Sequence, residues 1–190
     1  MATTPVPTER RLVAEHIPFK PEELDFFAEE ELVSILPKFT LRQEQGKLHL
    51  LDGAYGPLRA NTPAKVPLWV ALSLRRKNKA RIQPPEWMSV ANLEKVLEAE
   101  RKGVDLQDMP HRYIEVAGLL LRFAPQDFGA DLPKVRSTLR SIREVRMSKL
   151  EREVQEELNR TWAVKAIPLP ISSMEANAIR PLLVAEVAWA

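Results

Sequence analysis

Cysteine is absent from the 190 residues. Disulfides, thiolate metal sites and cysteine nucleophiles are therefore excluded together, and the fold must rest on packing alone. No run approaches the roughly 18 uncharged apolar residues of a membrane-spanning helix. Glycine is scarce, at six residues, and never falls into GxGxxG or GxxxxGK, so no phosphate-cradling loop is written in the chain. GxSxG is missing as well. The N-terminal MATTPVPTERR lacks an apolar core before a small-residue cleavage site, so it does not read as a secretory signal, and residues 1–20 read as a mobile extension. A net charge of only +2 is far from the dense basic surface of a dedicated nucleic-acid binder.

Ionisable clusters do not assemble into chemistry either. His16, His49 and His111 fall in a tail, a strand and a helix start, without HExxH or i,i+4 pairing, so no metal site is expected. The acids at Glu29–Glu31 and at Glu151, Glu153, Glu156 and Glu157 stand beside polar neighbours, whereas a catalytic carboxylate needs burial to tune its pKa. They read as solvated charges. No catalytic residue and no cofactor is expected, and the chain reads as non-enzymatic.

What is present is helix-forming sequence punctuated by 16 prolines. Charge is unevenly spread: residues 1–60 hold 7 Lys and Arg against 10 Asp and Glu, and residues 61–190 hold 21 against 16. This asymmetry suggests two parts. PEELDFFAEEE reads as a short acidic helix with Pro21 in its first turn, where a missing N–H costs nothing, and with Leu24, Phe27 and Ala28 on one side. ELVSILPKFTL and KLHLLDG read as strands, the second closing on an Asp52-Gly53 turn. PLRANTPAKVP reads as the boundary. The expected fold is mainly α: a small β-rich α+β unit over 21–64, then a helical bundle over 65–190, in which strand signals vanish. Its helices are expected at about 67–79, 89–102, 110–124, 132–159 and 172–188. Ser89 caps the second, Ser172 and Glu175 have the spacing of a capping box at the start of the last, and Pro181 kinks or restarts that helix.

Two helices are unusual. In LWVALSL the residues Leu68, Trp69, Val70, Ala71, Leu72 and Leu74 surround the axis, and a helix apolar all round must be covered on most sides. The helix from Val135 places Val135, Leu139 and Ile142 within about 60°, while Met147, Leu150, Val154 and Leu158 cluster roughly 90° further round. That switch suggests two neighbours, one inside the chain and one outside, or else a bent helix in one core. Arg136, Arg140 and Arg143 share a face that Arg146 and Lys149 extend. Intrachain ion pairs, an acidic partner or phosphate could each take it, although no aromatic residue alternates with these arginines as a stacking platform would require. RRKNKAR (75–81) reads as a charged helix exit, a nuclear-import patch or a weak DNA contact. Trp69 and Leu72 read as core or seam residues, and Trp87 as the anchor of the Pro84-Pro85 corner.

The ordered series FFAEEELVSILPKF, DGAYGPL, VPLW beginning at Val66, PPEWM about 15 residues later, LEKVLEAERK, SIREVRMSKL and SSMEANAIRPLL resembles the Psf-two family, subunit 2 of the eukaryotic GINS complex, over about residues 22–183. Pro67, Pro84, Pro85 and Trp87 carry the most specific part. The resemblance implies a β-rich B domain followed by a helical A domain, the reverse of the order in two of the four paralogous subunits. It also implies a non-catalytic scaffold in a nuclear heterotetramer with three paralogous GINS subunits, which joins the MCM ring and the Cdc-forty-five factor in the replicative helicase. DNA contact would then be secondary. Trp69, Leu72, Arg136, Arg140, Arg143, Arg146, Met147, Leu150 and Val154 are the expected partner-binding residues. An independent nucleic-acid-binding helical module using the basic faces is the alternative. Three departures stand out: residues 1 to about 20 extend beyond the family's usual short start, VKAIPLPIS holds two prolines where the family has a Leu-Asp-Asn-Leu-like approach, and the chain stops at LLVAEVAWA, with Trp189, where the family adds an acidic or polar tail.

Overall fold

The computed structural model describes residues 19–42, 46–160 and 170–187. The expectations for the N-terminal extension up to residue 18, for most of VKAIPLPIS and for Trp189 lie outside them. Helix α1 (Pro21–Ala28) begins where the Glu23 carboxylate accepts the Lys20 N–H at 2.8 Å. Leu24 and Ala28, one turn apart, are buried, while Phe27 stays 42% exposed. Strand β1 (Leu32–Pro37) alternates as a half-buried strand should, with Val33, Ile35 and Pro37 inward. β2 (Leu48–Leu50) and β3 (Gly53–Tyr55) pair as a hairpin, Leu48 opposite Tyr55. Gly56 follows at φ 127°, where a Cβ would lie 2.9 Å from the Leu58 nitrogen, so a side chain has no room there.

The strand signals do not end at residue 65. β4 (Ala64–Pro67) and β5 (Ala80–Gln83) flank β1 in the order β4-β1-β5, both antiparallel to it, with Val66 opposite Val33 and Ile82 opposite Ile35. The end of PLRANTPAKVP is thus an edge strand. The sheet continues to Gln83, past the break drawn at residue 64. Helix α2 (Leu68–Arg76) connects the two outer strands and is shorter than expected. Asn78 turns the chain at φ 55°, and the Lys79 N–H bonds the Leu74 carbonyl at 2.8 Å before β5 begins. Leu68, Val70, Ala71 and Leu72 are buried, because α2 packs on all three strands and on a later helix. The helix that is apolar all round is covered within its own chain, with Trp69 left 42% exposed.

After a 3-10 turn at Glu86–Met88 come α3 (Val90–Lys102), α4 (Tyr113–Phe123), a 3-10 segment at Pro125–Asp131, α5 (Leu132–Arg160) and α6 (Ser173–Val187). Ser89 Oγ accepts the Asn92 N–H at 3.3 Å as the N-cap of α3. At α6 the capping box forms in both directions: the Ser172 N–H bonds Glu175 Oε2 at 2.9 Å, and the Glu175 N–H bonds Ser172 Oγ at 3.3 Å. The helix then runs on through Pro181 and does not restart. One core joins Val33, Ile35, Val66 and Ile82 of the sheet to Leu93, Tyr113, Leu120, Val135, Leu139 and Ile142 of the helices. A second cluster gathers Leu106, Leu150 and Ile179, with Met147, Val154 and Ile171 packed against it. The face switch along α5 is present among the described residues, Val135, Leu139 and Ile142 meeting the first cluster and Met147, Leu150 and Val154 the second, while the side chain of Leu158 lies outside them.

Candidate functional site

Where the apolar stripe of α5 passes from one cluster to the other sits Arg146, with no exposed side-chain surface. Its Nε and Nη2 form a fork on Glu175 of α6, at 2.7 Å to Oε1 and 3.0 Å to Oε2. Nη1 bonds Glu100 Oε1 of α3 at 2.7 Å and the Gln107 carbonyl at 2.7 Å, and Nη2 also reaches the Pro170 carbonyl at 2.8 Å. Lys149 Nζ takes the other Glu100 oxygen at 2.6 Å, and the Tyr113 hydroxyl of α4 donates to Glu175 Oε1 at 2.8 Å. Two cations and two carboxylates sum to zero charge, which is the condition for burying such a set. Burial alone would raise the Glu175 pKa, but the bonds from Arg146, the Ser172 N–H and Tyr113 outweigh it and hold the carboxyl below its usual range. Burial works against the Arg146 charge too, yet Glu175 and Glu100 keep its pKa above the ordinary value. Burial and the Glu175 charge push the Tyr113 phenol up. These groups pin four helices together, and every Arg146 donor group is spent on a protein acceptor.

Arg146 therefore does not extend the exposed face of Arg136, Arg140 and Arg143. Leu150, fully buried, and Leu72, 6% exposed, have no surface to offer a partner, while Met147 and Val154 lie half-buried against the second cluster. The signal for Arg146 was available: 135, 139, 142, 146 and 150 are spaced four, three, four and four, so the arginine interrupts an apolar stripe at a core position. Its partners come from α3 and α6, which no local pattern announces. Glu115 of α4 was missed likewise. It is buried and accepts the Ser173 hydroxyl, while its Oε2 has no hydrogen-bond partner.

The exposed candidates are Trp69, Arg136, Arg140 and Arg143. Arg136 Nη2 bonds the Leu121 carbonyl at 3.0 Å; among the described residues Arg140 and Arg143 make no ion pair. RRKNKAR divides between helix end, turn and strand. Arg75 Nε bonds Asp127 at 2.8 Å, the Ile82 N–H bonds the same carboxylate oxygen at 3.0 Å, and Arg81 stands 3.7 Å from its other oxygen. Arg76 lies over the ring of Phe123, its Cζ 5.9 Å from the centroid, and Arg122 flanks the same ring at 5.1 Å. Pro67 is buried, and Pro84 and Pro85 turn the chain beside Trp87, which meets Tyr113 edge-on at 6.4 Å. That corner rims a cavity of about 270 Å³ lined by Leu32, Pro85, Trp87, His111, Arg112 and Tyr113, among others. Among the described residues no acidic or histidine cluster could hold a metal, and no helix is long and apolar enough to cross a membrane.

Comparison with known proteins divides the chain where the sheet ends. The family model described as the PSF2 N-terminal domain matches residues 20–83, and that of the GINS complex protein helical bundle domain matches residues 87–189. The chain is 35% identical over 169 residues to the DNA replication complex GINS protein psf2 of Schizosaccharomyces pombe, covering 87% of this chain and 86% of the relative. It is 39% identical over 132 residues to the human protein of the same name, covering 67% of each. To the probable Drosophila melanogaster counterpart it is 33% identical, covering 86% of this chain and 78% of the relative.

Proposed function

The chain belongs to the PSF2 family of GINS complex proteins, and from that premise we propose that it is a non-catalytic scaffold subunit of a nuclear heterotetramer with three paralogous GINS subunits. The assembly serves DNA replication by joining the MCM ring and the Cdc-forty-five factor in the replicative helicase, whose ATPase is supplied by the ring. The observation that carries this reading is the pair of family matches, which together span residues 20–83 and 87–189. Two features support it. The buried ionisable groups with traced partners are committed to holding helices together, and the exposed Trp69, Arg140 and Arg143, the last two without an ion pair among the described residues, remain available for seams, where aromatic residues and arginine are enriched. We place the boundary between the N-terminal unit and the bundle at Pro84-Pro85, after the last strand.

Expression of the chain alone and with its three paralogues tests the proposal. Co-purification as a stoichiometric complex is the expected result, with Arg140→Glu weakening assembly or helicase docking. A stable monomer that binds DNA tightly, with a steep dependence on salt, would overturn it in favour of an independent nucleic-acid-binding module.

A further inference from the structure

We propose that Phe123 and the arginines around it, Arg76, Arg122 and Arg136, form a docking site for an acidic protein segment carrying an apolar anchor, supplied by another subunit. This rests on the assembly reading above. Three elements build the site. Phe123 ends α4 with 40% of its surface exposed, and a ring in that position has lost part of its cover to solvent without being left bare. Arg76, from the last turn of α2, and Arg122 both lie within 6 Å of its centroid, at 5.9 and 5.1 Å, the range of cation–π attraction. The bond from Arg136 to the Leu121 carbonyl brings the first arginine of α5 to the last turn of α4, and Arg140 and Arg143 continue the positive face along that helix. An apolar anchor packed on the ring would be framed by cations that can each form a fork on a carboxylate.

An acidic protein segment fits this face better than a nucleic acid does. Stacking of a single strand uses successive rings, and Phe123 is one ring. The chain as a whole carries only +2. Arginine and aromatic side chains clustered at one spot are the usual anchors of protein seams.

The test uses the full chain co-expressed with its three paralogues, followed by titration with the purified partner subunits. Phe123→Ala, and separately the pair Arg122→Glu with Arg136→Glu, should weaken association at least tenfold. The isolated chain should stay folded, its melting curve shifting far less than association does, and Arg122→Lys should keep most of the affinity. Association of both variants at wild-type strength would eliminate the docking site while leaving the assembly reading intact. Failure of the wild-type chain to co-purify would remove both. Binding of a single-stranded oligothymidine that is lost in Phe123→Ala would make nucleic acid the occupant and overturn the proposal.

Discussion

Replacing Arg146 with alanine would remove five hydrogen bonds at once, two to Glu175, one to Glu100 and two to the carbonyls of Gln107 and Pro170. The carboxylates left behind keep some partners: Tyr113 and the Ser172 N–H remain on Glu175, and Lys149 and the Gln107 N–H remain on Glu100. The set would change from neutral to a net negative charge in a largely buried place. Breaking a buried pair from one side costs about 3–5 kcal/mol. At about 2–4 °C per kcal/mol for a chain of this length, the melting temperature should fall by roughly 6–20 °C, as read by calorimetry or circular dichroism near neutral pH. Arg146→Lys retains the charge but loses the planar fork and should fall between the two. Adding Glu175→Gln to Arg146→Met should recover part of the loss, because the carboxylate left without its fork goes with the arginine, while Glu100 and Lys149 still balance each other. A cost below about 1 kcal/mol for Arg146→Ala would mean the network behaves like a solvated surface pair, and the pinning of four helices would be wrong.

Acid should act through Glu175. Its folded pKa is depressed, so the stability it contributes is present above the usual carboxylate value of 4.5 and is lost as pH falls below it through the folded value. Melting curves of wild type and Glu175→Gln should therefore converge toward low pH, and parallel curves would contradict this. Asp127 ties the end of α2 and strand β5 to the segment after α4, so Asp127→Ala should cost about 1–3 kcal/mol by leaving the Ile82 N–H and the Arg75 Nε–H without their acceptor. Arg81→Ala, at a side chain 63% exposed and 3.7 Å away, should stay within about 0.5 kcal/mol. Urea titration separates the two.

Helix starts were legible where a local hydrogen bond decides them, as at Ser89 and at the Ser172–Glu175 box, and the changing face of α5 was legible from its periodicity. β5 was hidden because its four residues carry only two inward side chains, Ala80 and Ile82, and follow a basic run that reads as a helix exit. Nothing local to the strand records that β1 lies alongside it. Charge alone puts Arg146 on the exposed face of Arg136, Arg140 and Arg143, whereas its place in the apolar stripe is the better guide to its burial. The ring of Phe123 was out of reach for a different reason: Arg122 precedes it directly, but Arg76 comes from a helix well apart in sequence, and only packing brings it to the ring.

The sheet order also has a meaning in time. During synthesis β1 emerges first, yet it is the central strand, and its neighbours end at Pro67 and Gln83, 30 and 46 residues after Pro37. At about 5–20 residues per second, roughly 2–9 s separate the making of β1 from the making of its last partner. Throughout that interval at least one edge of an apolar strand lies open to pairing with other chains. A fragment cut at residue 64 would make that exposure permanent on both edges, whereas one carried through Gln83 would contain every strand the nascent chain was waiting for.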